Sequence, residues 1–413
     1  MSFQSLSGFR DFYPEECALR EHIFSVWCES SRQFGFSQYD GPPLEPLELY
    51  KKKSGDEIVG QLYNFVDKGE REVALRPELT PTFARMAGAK HRDYKKPLKW
   101  FAIPQLFRYE RAQRGRLREH FQWNCDIVGE ASLAAEAEIL ALIDHAMRGL
   151  GLTREDYVIR VSDRQFWLDF LQQNKVTDEA KVYDFLQALD KIERASEAET
   201  REKLGPLADQ VFSLLEKGTT SERLDTLMAS CKALGLADAV KIDLRIVRGL
   251  AYYTGIVFEV HDRSGKFRAI AGGGRYDNLL KLISGEDLPA IGFGMGDVVI
   301  GEILKDKGLA PKTANIESYY LVIADEALRP QALALASALR EGGYHVDYPL
   351  TAAKVGKQFQ AAEERGHKFA LVVGQEYASD GVCGLKTLAT REQVNVRPEV
   401  RDGKVSSLAP VGC

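Results

Sequence analysis

Apolar residues first recur at helical spacing over Glu16–Phe34, where Leu19, Ile23, Phe24 and Trp27 fall near one face. Pro42 and Pro43 then interrupt regular structure. Arg71–Leu75 reads as a short strand and Leu79–Ala89 as a helix. Trp100–Tyr109 and Phe121–Val128 read as strands. The polar run RAQRGRLREH between them predicts an antiparallel hairpin with an extended basic tip. An amphipathic helix is expected over Leu133–Leu150 and a strand over Tyr157–Val161. From about 163 to 238 the pattern is helical and rich in charge. That predicts a helical insert inside a mixed α/β unit, its charges on solvated faces.

Strands are expected again at Asp243–Val247, Ile256–Val260 and Phe267–Ala271. A helix follows at Leu279–Ile283, and then an apolar, glycine-rich run at Ala290–Met295. Residues 305–318 are polar, with Gly, Pro and Asn, and read as a linker. Beyond it, short strands at Tyr319–Ala324, His345–Tyr348 and Ala370–Gly374 alternate with amphipathic helices at Pro330–Glu341 and Val355–Arg365. Such alternation predicts a small parallel α/β domain.

A chain of 413 residues exceeds one ordinary core, so two or three domains are expected. The formal net charge of −5 argues against a protein that coats nucleic acid non-specifically. A local basic patch still suits RNA, because screening confines distant charge to about 10 Å. The cysteines at 17, 28, 125, 231, 383 and 413 form no CxxC pair and no zinc-finger spacing. Scattered thiols of this kind fit a reduced, cytoplasmic setting. The first residues lack the pattern of a signal peptide, and no run of about 18 apolar residues predicts a membrane helix.

Five segments carry candidate chemistry. In FRYERAQRGRLREHFQ (107–122), Arg108, Arg111, Arg114, Arg116 and Arg118 crowd one strand and its loop. Either a polyanion is gripped there by guanidinium groups, or the hairpin is solvated and balanced by Glu110 and Glu119. In LRPELTPTFARM (75–86), Glu78 either holds a cationic amine or simply favours a helix N-terminus. In RIVRGLAYYTGIVFEV (245–260), apolar residues flank Arg248, whose charge needs an anionic partner, internal or bound. Tyr252 and Tyr253 follow; in an extended stretch they point to opposite faces. AGGGRYDNLL (271–280) is not the dinucleotide fingerprint; its glycines permit either a tight turn or a ligand close to the backbone. Gly292, Gly294 and Gly296 alternate as in a strand abutting a planar ring or a closely packed helix.

Together and in this order, the segments resemble the histidyl-tRNA synthetase family, within class II of the aminoacyl-tRNA synthetases, over nearly the whole chain. GFSQYDGPPLE (35–45) is similar to the first class II motif, around Pro42. FRYERAQRGRLREHFQ is similar to the second, and the run to Gly296 to the third. RGLAYYTGIVFE and GGGRYD resemble the family's two histidine signatures, and residues 354–376 resemble its anticodon-binding domain. The resemblance implies an α+β catalytic domain on a mainly antiparallel six- to seven-stranded sheet with a helical insertion, plus a C-terminal α/β anticodon-binding domain. The boundaries implied are 1–162 and 241–310 for the catalytic domain, 163–240 for the insertion, and 318–413 for the last domain.

It further implies ATP with Mg²⁺, histidine and tRNA(His) as ligands, a homodimer, no membrane, and no metal site formed by the protein alone. Arg108 and Arg248 would be the catalytic pair, contacting the α-phosphate. Glu110 would lie near adenine, Arg116 at the outer phosphates or the tRNA acceptor end, Gln113 near that end, and Gly296 beside ATP. Glu78, Thr80, Gln122 and Asp126 would serve the amino and carboxylate side of histidine. Tyr252, Tyr253, Tyr276 and Gly292 would complete its pocket.

Three positions depart from the family pattern. Val299 stands where the third motif ends in an arginine that binds the γ-phosphate, which leaves that task to Arg116 or to Mg²⁺. Ala251 replaces an acid, and Leu117 replaces an aromatic residue. The first two suit a second reading, a catalytically silent, histidine-sensing regulatory subunit of histidine biosynthesis. The retained anticodon-like domain and intact histidine signature favour the enzyme.

Overall fold

The first helical pattern is realised over Pro14–Gln33. Pro14 occupies the first turn, where its missing N–H is not needed, and Glu15 and Glu16 complement the helix dipole there. Leu19, Ile23 and Trp27 are spaced one turn apart and are all buried. The computed structural model describes residues 3–54, 56–109, 117–248, 252–311 and 317–411. They divide into two units, Met1–Ala310 and Pro311–Cys413.

The first unit is built on a sheet whose centre is six antiparallel strands. In spatial order they are Leu98–Ala102, Glu119–Val128, Ala290–Gly296, Ala271–Arg275, Ile256–Asp262 and Tyr157–Asp163. Ser37–Gln38 and Val240–Ile242 add short parallel edges, and Gln105–Phe107 pairs with the start of Glu119–Val128. The helices Pro14–Gln33 and Ala134–Gly149 belong to the same hydrophobic core as one face of this sheet. Trp27 stacks on Trp123 with ring centroids 5.8 Å apart. A separate three-stranded sheet joins Leu44–Pro46, Glu72–Leu75 and Asn64–Val66. Between Tyr157–Asp163 and Val240–Ile242 lie five α-helices spanning Arg164–Ala233.

Several expected strands shift for identifiable reasons. Trp100–Tyr109 is two strands because Pro104 lacks an N–H for the ladder. Asp243–Val247 is not a strand. The Asp243 side chain accepts from the backbone N–H of Arg245 at 3.1 Å, closing a turn after Val240–Ile242. Asp243 also receives Arg160 at 2.6 Å, and Arg160 reaches Glu193 in the helical insert. Phe267–Ala271 is displaced to Ala271–Arg275, because the Asp262 carboxylate accepts the backbone N–H groups of Lys266 and Phe267 and holds a turn there. Within the stretch expected as linker, the helix Asp297–Asp306 takes the first residues, and 312–316 fall outside the described residues.

The second unit is a mixed sheet rather than a purely parallel one. His345–Asp347, Ser318–Ile323 and Phe369–Val373 are parallel. Cys383–Thr387, Gln393–Arg401 and Lys404–Pro410 then continue it antiparallel. These last strands escape the hydrophobic pattern because Gln393–Arg401 buries only Val396 fully.

Arg275 ties the central sheet to the helix Ala134–Gly149. Its guanidinium donates to both oxygens of Glu136 at 2.6 and 2.7 Å, and to the Glu130 carbonyl at 2.8 Å. Glu136 is 0% exposed. Glu136→Ala strands a buried guanidinium and is expected to lower stability by about 3–5 kcal/mol in chemical denaturation.

Candidate active site

Strand Glu119–Val128 sorts its side chains by alternation. Trp123, Cys125 and Ile127 enter the core. Gln122, Asn124 and Asp126 face the other way and line a cleft of about 520 Å³. Glu78, Thr80, Arg108, Arg248, Tyr252, Tyr253 and Tyr276 also line it, as do Gly272, Gly292, Gly294 and Phe293. Thr80 opens the helix Thr80–Lys90, with Glu78 two residues before it.

The next two strands on one side of Glu119–Val128, Ala290–Gly296 and then Ala271–Arg275, carry glycines where polar side chains lie against the sheet. Gly292 is in register with Asp126, and a Cβ there would overlap the Asp126 carboxylate. A Cβ on Gly294 would press on Gln122 at 2.6 Å. One on Gly272 would overlap the Arg248 guanidinium. The glycine run thus forms a floor on which long polar side chains lie flat, and this is why it resists reading as a nucleotide fingerprint.

Arg248 has φ of 49°, in the left-handed region that costs a side-chain-bearing residue roughly 1–2 kcal/mol. Its Nη1 donates to Glu259 at 3.1 Å. Its buried Nε has no hydrogen-bond partner among the described residues. Burial works against its charge, but Tyr253 and Glu259 outweigh this and hold its pKa above the ordinary arginine value. Arg108 is braced by donating from Nε to the Pro77 carbonyl at 2.9 Å.

Acids occupy other parts of the wall. Tyr276 donates to Asp126, and both are buried. Burial pushes the Asp126 carboxyl up to about 7, partly opposed by that hydroxyl. Lys53 donates to Glu78. Tyr252 and Tyr253 do not point to opposite faces. The chain turns there instead of running extended, and the rings lie 4.5 Å apart with hydroxyls 3.4 Å apart. Tyr276 meets Tyr252 edge-on at 6.0 Å.

Of the site residues expected from the sequence, Glu78, Thr80, Arg108, Gln122, Asp126, Arg248, Tyr252, Tyr253, Tyr276 and Gly292 come together in this cleft. Gly296 lies at the end of its strand, outside the cleft lining, where a Cβ would meet only His120 at 3.8 Å. Glu110, Gln113, Arg116 and Ala251 fall outside the described residues. Val299 is packed in the hydrophobic core. Two residues before it, Asp297 accepts from Arg10 at 2.9 Å and from the Phe121 N–H at 2.9 Å. Asn124, Glu259 and Lys53 were not anticipated. The alternation Gln122–Asn124–Asp126 would have revealed the first; partners remote in sequence concealed the others.

His120 was likewise missed. Burial, with Arg108 and Arg10 nearby, pushes it down to about 3, so it is neutral at physiological pH.

A cleft lined by both acids and arginines, on an antiparallel sheet interrupted by a helical insert, suits a small zwitterion meeting a phosphate. That combination places the chain among the class II aminoacyl-tRNA synthetases. The family model described as histidyl-tRNA synthetase matches residues 8–296, and one described as anticodon binding domain matches residues 310–403. A protein of Opitutus terrae named histidine–tRNA ligase is 45% identical, the match covering 96% of this chain and 97% of that one. The chloroplastic/mitochondrial histidine–tRNA ligase of Arabidopsis thaliana is 39% identical, covering 94% and 84%. A crystal structure of histidyl-tRNA synthetase from Nostoc superposes with a TM-score of 0.82 at 26% identity, covering 96% and 97%.

The chain belongs to the histidyl-tRNA synthetase family and is an enzyme, a ligase of the histidine–tRNA kind. A Bacillus halodurans structure titled both regulatory subunit and synthetase shares the fold at 21% identity, with a TM-score of 0.71. That likeness shows fold alone and lends the regulatory reading no support.

Two outcomes are expected. Gly272→Ala should displace the Arg248 guanidinium and lower kcat/KM on the order of 10²-fold, with the fold intact by circular dichroism. Asp126 holds its proton in the folded state up to about pH 7, against 3.8 for an ordinary aspartate. Its contribution to stability is full below about pH 4 and is lost as pH rises to about 7. Asp126→Asn should flatten that part of the stability–pH curve in thermal unfolding of the unliganded protein.

Proposed function

We propose that this cleft condenses histidine with ATP and that the histidyl group then passes to the 3′-terminal ribose of tRNA(His). The histidine carboxylate attacks the α-phosphorus, the bond to the bridging oxygen breaks, and pyrophosphate leaves. Both reacting groups are anionic. Arg108 and Arg248 would offset their repulsion and stabilise the charge developing on the phosphoryl oxygens, each such contact contributing about 3 kcal/mol. The observation that carries this reading is Arg248: a buried guanidinium in left-handed backbone, with its Nε unpartnered among the described residues. A buried donor without an acceptor costs about 1–3 kcal/mol, which a bound anion would relieve.

Glu78, Thr80, Gln122 and Asp126 would take the α-amino and carboxylate side of histidine. Tyr252, Tyr253 and Tyr276, over the Gly292 floor, would enclose the imidazole. The carboxylate is already ionised, so no strong base is needed and positioning carries the rate. Among the described residues no cluster of three His, Cys, Asp or Glu could hold a metal. Mg²⁺ would arrive on the triphosphate and offset part of its charge. Glu110 at adenine, Gln113 at the acceptor end and Arg116 at the outer phosphates complete the assignment, with Gly296 beside ATP.

The same reading divides the chain at 1–162, 163–240, 241–310 and 318–413, and makes it a homodimer in the cytoplasm. Among the described residues no helix is long and apolar enough to cross a membrane.

Histidine-dependent ATP–pyrophosphate exchange tests the reading. Arg248→Ala should reduce exchange by at least 10²-fold, on the order of one lost oxyanion contact, with the protein still folded by circular dichroism. Normal exchange by this variant would remove Arg248 from the reacting phosphate.

A further inference from the structure

Lys51, Lys52 and Lys53 end the helix Leu47–Ser54, and the side chain of the third is buried. Tyr50, one turn earlier, is buried in a small core with Leu47, Leu62 and Ala74, and this fixes the face that carries Lys53. The Lys53 side chain is 1% exposed. Removing an ammonium from water costs several kcal/mol unless it is closely compensated.

Its compensation comes from two cleft-lining residues that lie far apart in sequence. Nζ donates to Oε2 of Glu78, and the ammonium sits 4.2 Å from the centre of the Tyr252 ring. The cation–π contact and the ion pair together join the segment 75–86 to the segment 245–260.

We infer that Lys53 is a positioning residue for the amino-acid site: it holds Glu78 by one oxygen and leaves the other turned to the α-ammonium of histidine. The inference rests on the proposed role of Glu78 in the amino-group site. A carboxylate has about four lone-pair directions, so Oε2 can serve Lys53 while Oε1 serves the substrate. Held by a cation that is itself seated against a ring, Glu78 keeps one orientation without histidine. Less ordering is then left to the binding step. Lys53 itself is shielded from the cleft by the two residues it braces and need not touch substrate.

The test compares Lys53→Met, Lys53→Gln and Glu78→Gln in histidine-dependent ATP–pyrophosphate exchange. A competitive inhibitor lacking the amino group, 3-(imidazol-4-yl)propanoate, is measured on each. Both Lys53 variants are expected to raise the KM for histidine about tenfold, the effect of one weakened charge-assisted contact, with kcat within about twofold. The inhibitor's Ki should stay at the native value, which also reports a correctly folded pocket. An unchanged KM, a lower KM (Lys53 then competes with the substrate ammonium), or a Ki that rises in step with KM would each overturn the proposal. If Glu78→Gln raises KM while the Lys53 variants do not, only the role of Lys53 is lost. If Glu78→Gln leaves KM unchanged, the amino-group assignment fails, and the Lys53 proposal with it.

Discussion

The Arg248 guanidinium lies against Gly272, paired through Nη1 with Glu259 on the next strand, in a backbone conformation that arginine ordinarily avoids. Much of the cleft follows from accommodating it. Residue 272 must lack a side chain. Glu259 must face the cleft side of Ile256–Asp262 and is in register with Gly272. His261 Nε2 donates to the other Glu259 oxygen at 3.0 Å, so the carboxylate that steadies Arg248 is itself steadied. Strain at a residue of this kind persists only when its surroundings over-determine it.

The same floor lets two further polar side chains lie close to the sheet. Gln122 and Asp126 occupy space that side chains at 294 and 292 would fill. The charged and acidic groups of the cleft are each held by a partner. Arg108 and Arg248 supply positive charge, Glu78 is already paired with Lys53, and Asp126 is buried against the Tyr276 hydroxyl. A zwitterionic amino acid has its ammonium and carboxylate only a few ångströms apart, and such a wall discriminates its two ends.

The departure at Val299 acquires a structural setting. Its side chain joins the core, and the helix that begins at Asp297 is instead tied by Arg10 to Glu119 on the hairpin strand, at 2.6 Å from Nε. Burial raises the Asp297 pKa, while Arg10 and the Phe121 N–H oppose that shift. This link joins the second-motif strand to the start of the helix.

Periodicity alone determined the long helices, the hairpin, the helical insert and the alternating α/β tail, because burying one face imposes spacing that survives without knowledge of partners. Motif order identified the family, and Arg108, Arg248, Glu78, Asp126 and Tyr276 were legible because charged or hydroxylated residues in apolar settings stand out. Only tertiary structure decided which of these meet. Strand register sets Glu259 opposite Gly272, and the bond to Glu259 brings the Arg248 guanidinium there. Lys53 is singled out in the run of three lysines by its contacts with Glu78 and Tyr252, which lie far off in sequence. Tyr252 and Tyr253 lie together because the chain turns there instead of running extended. The exposed strands at 393–410 were hidden for the converse reason: pairing through the backbone, with few buried side chains, leaves almost no trace in the order of residues.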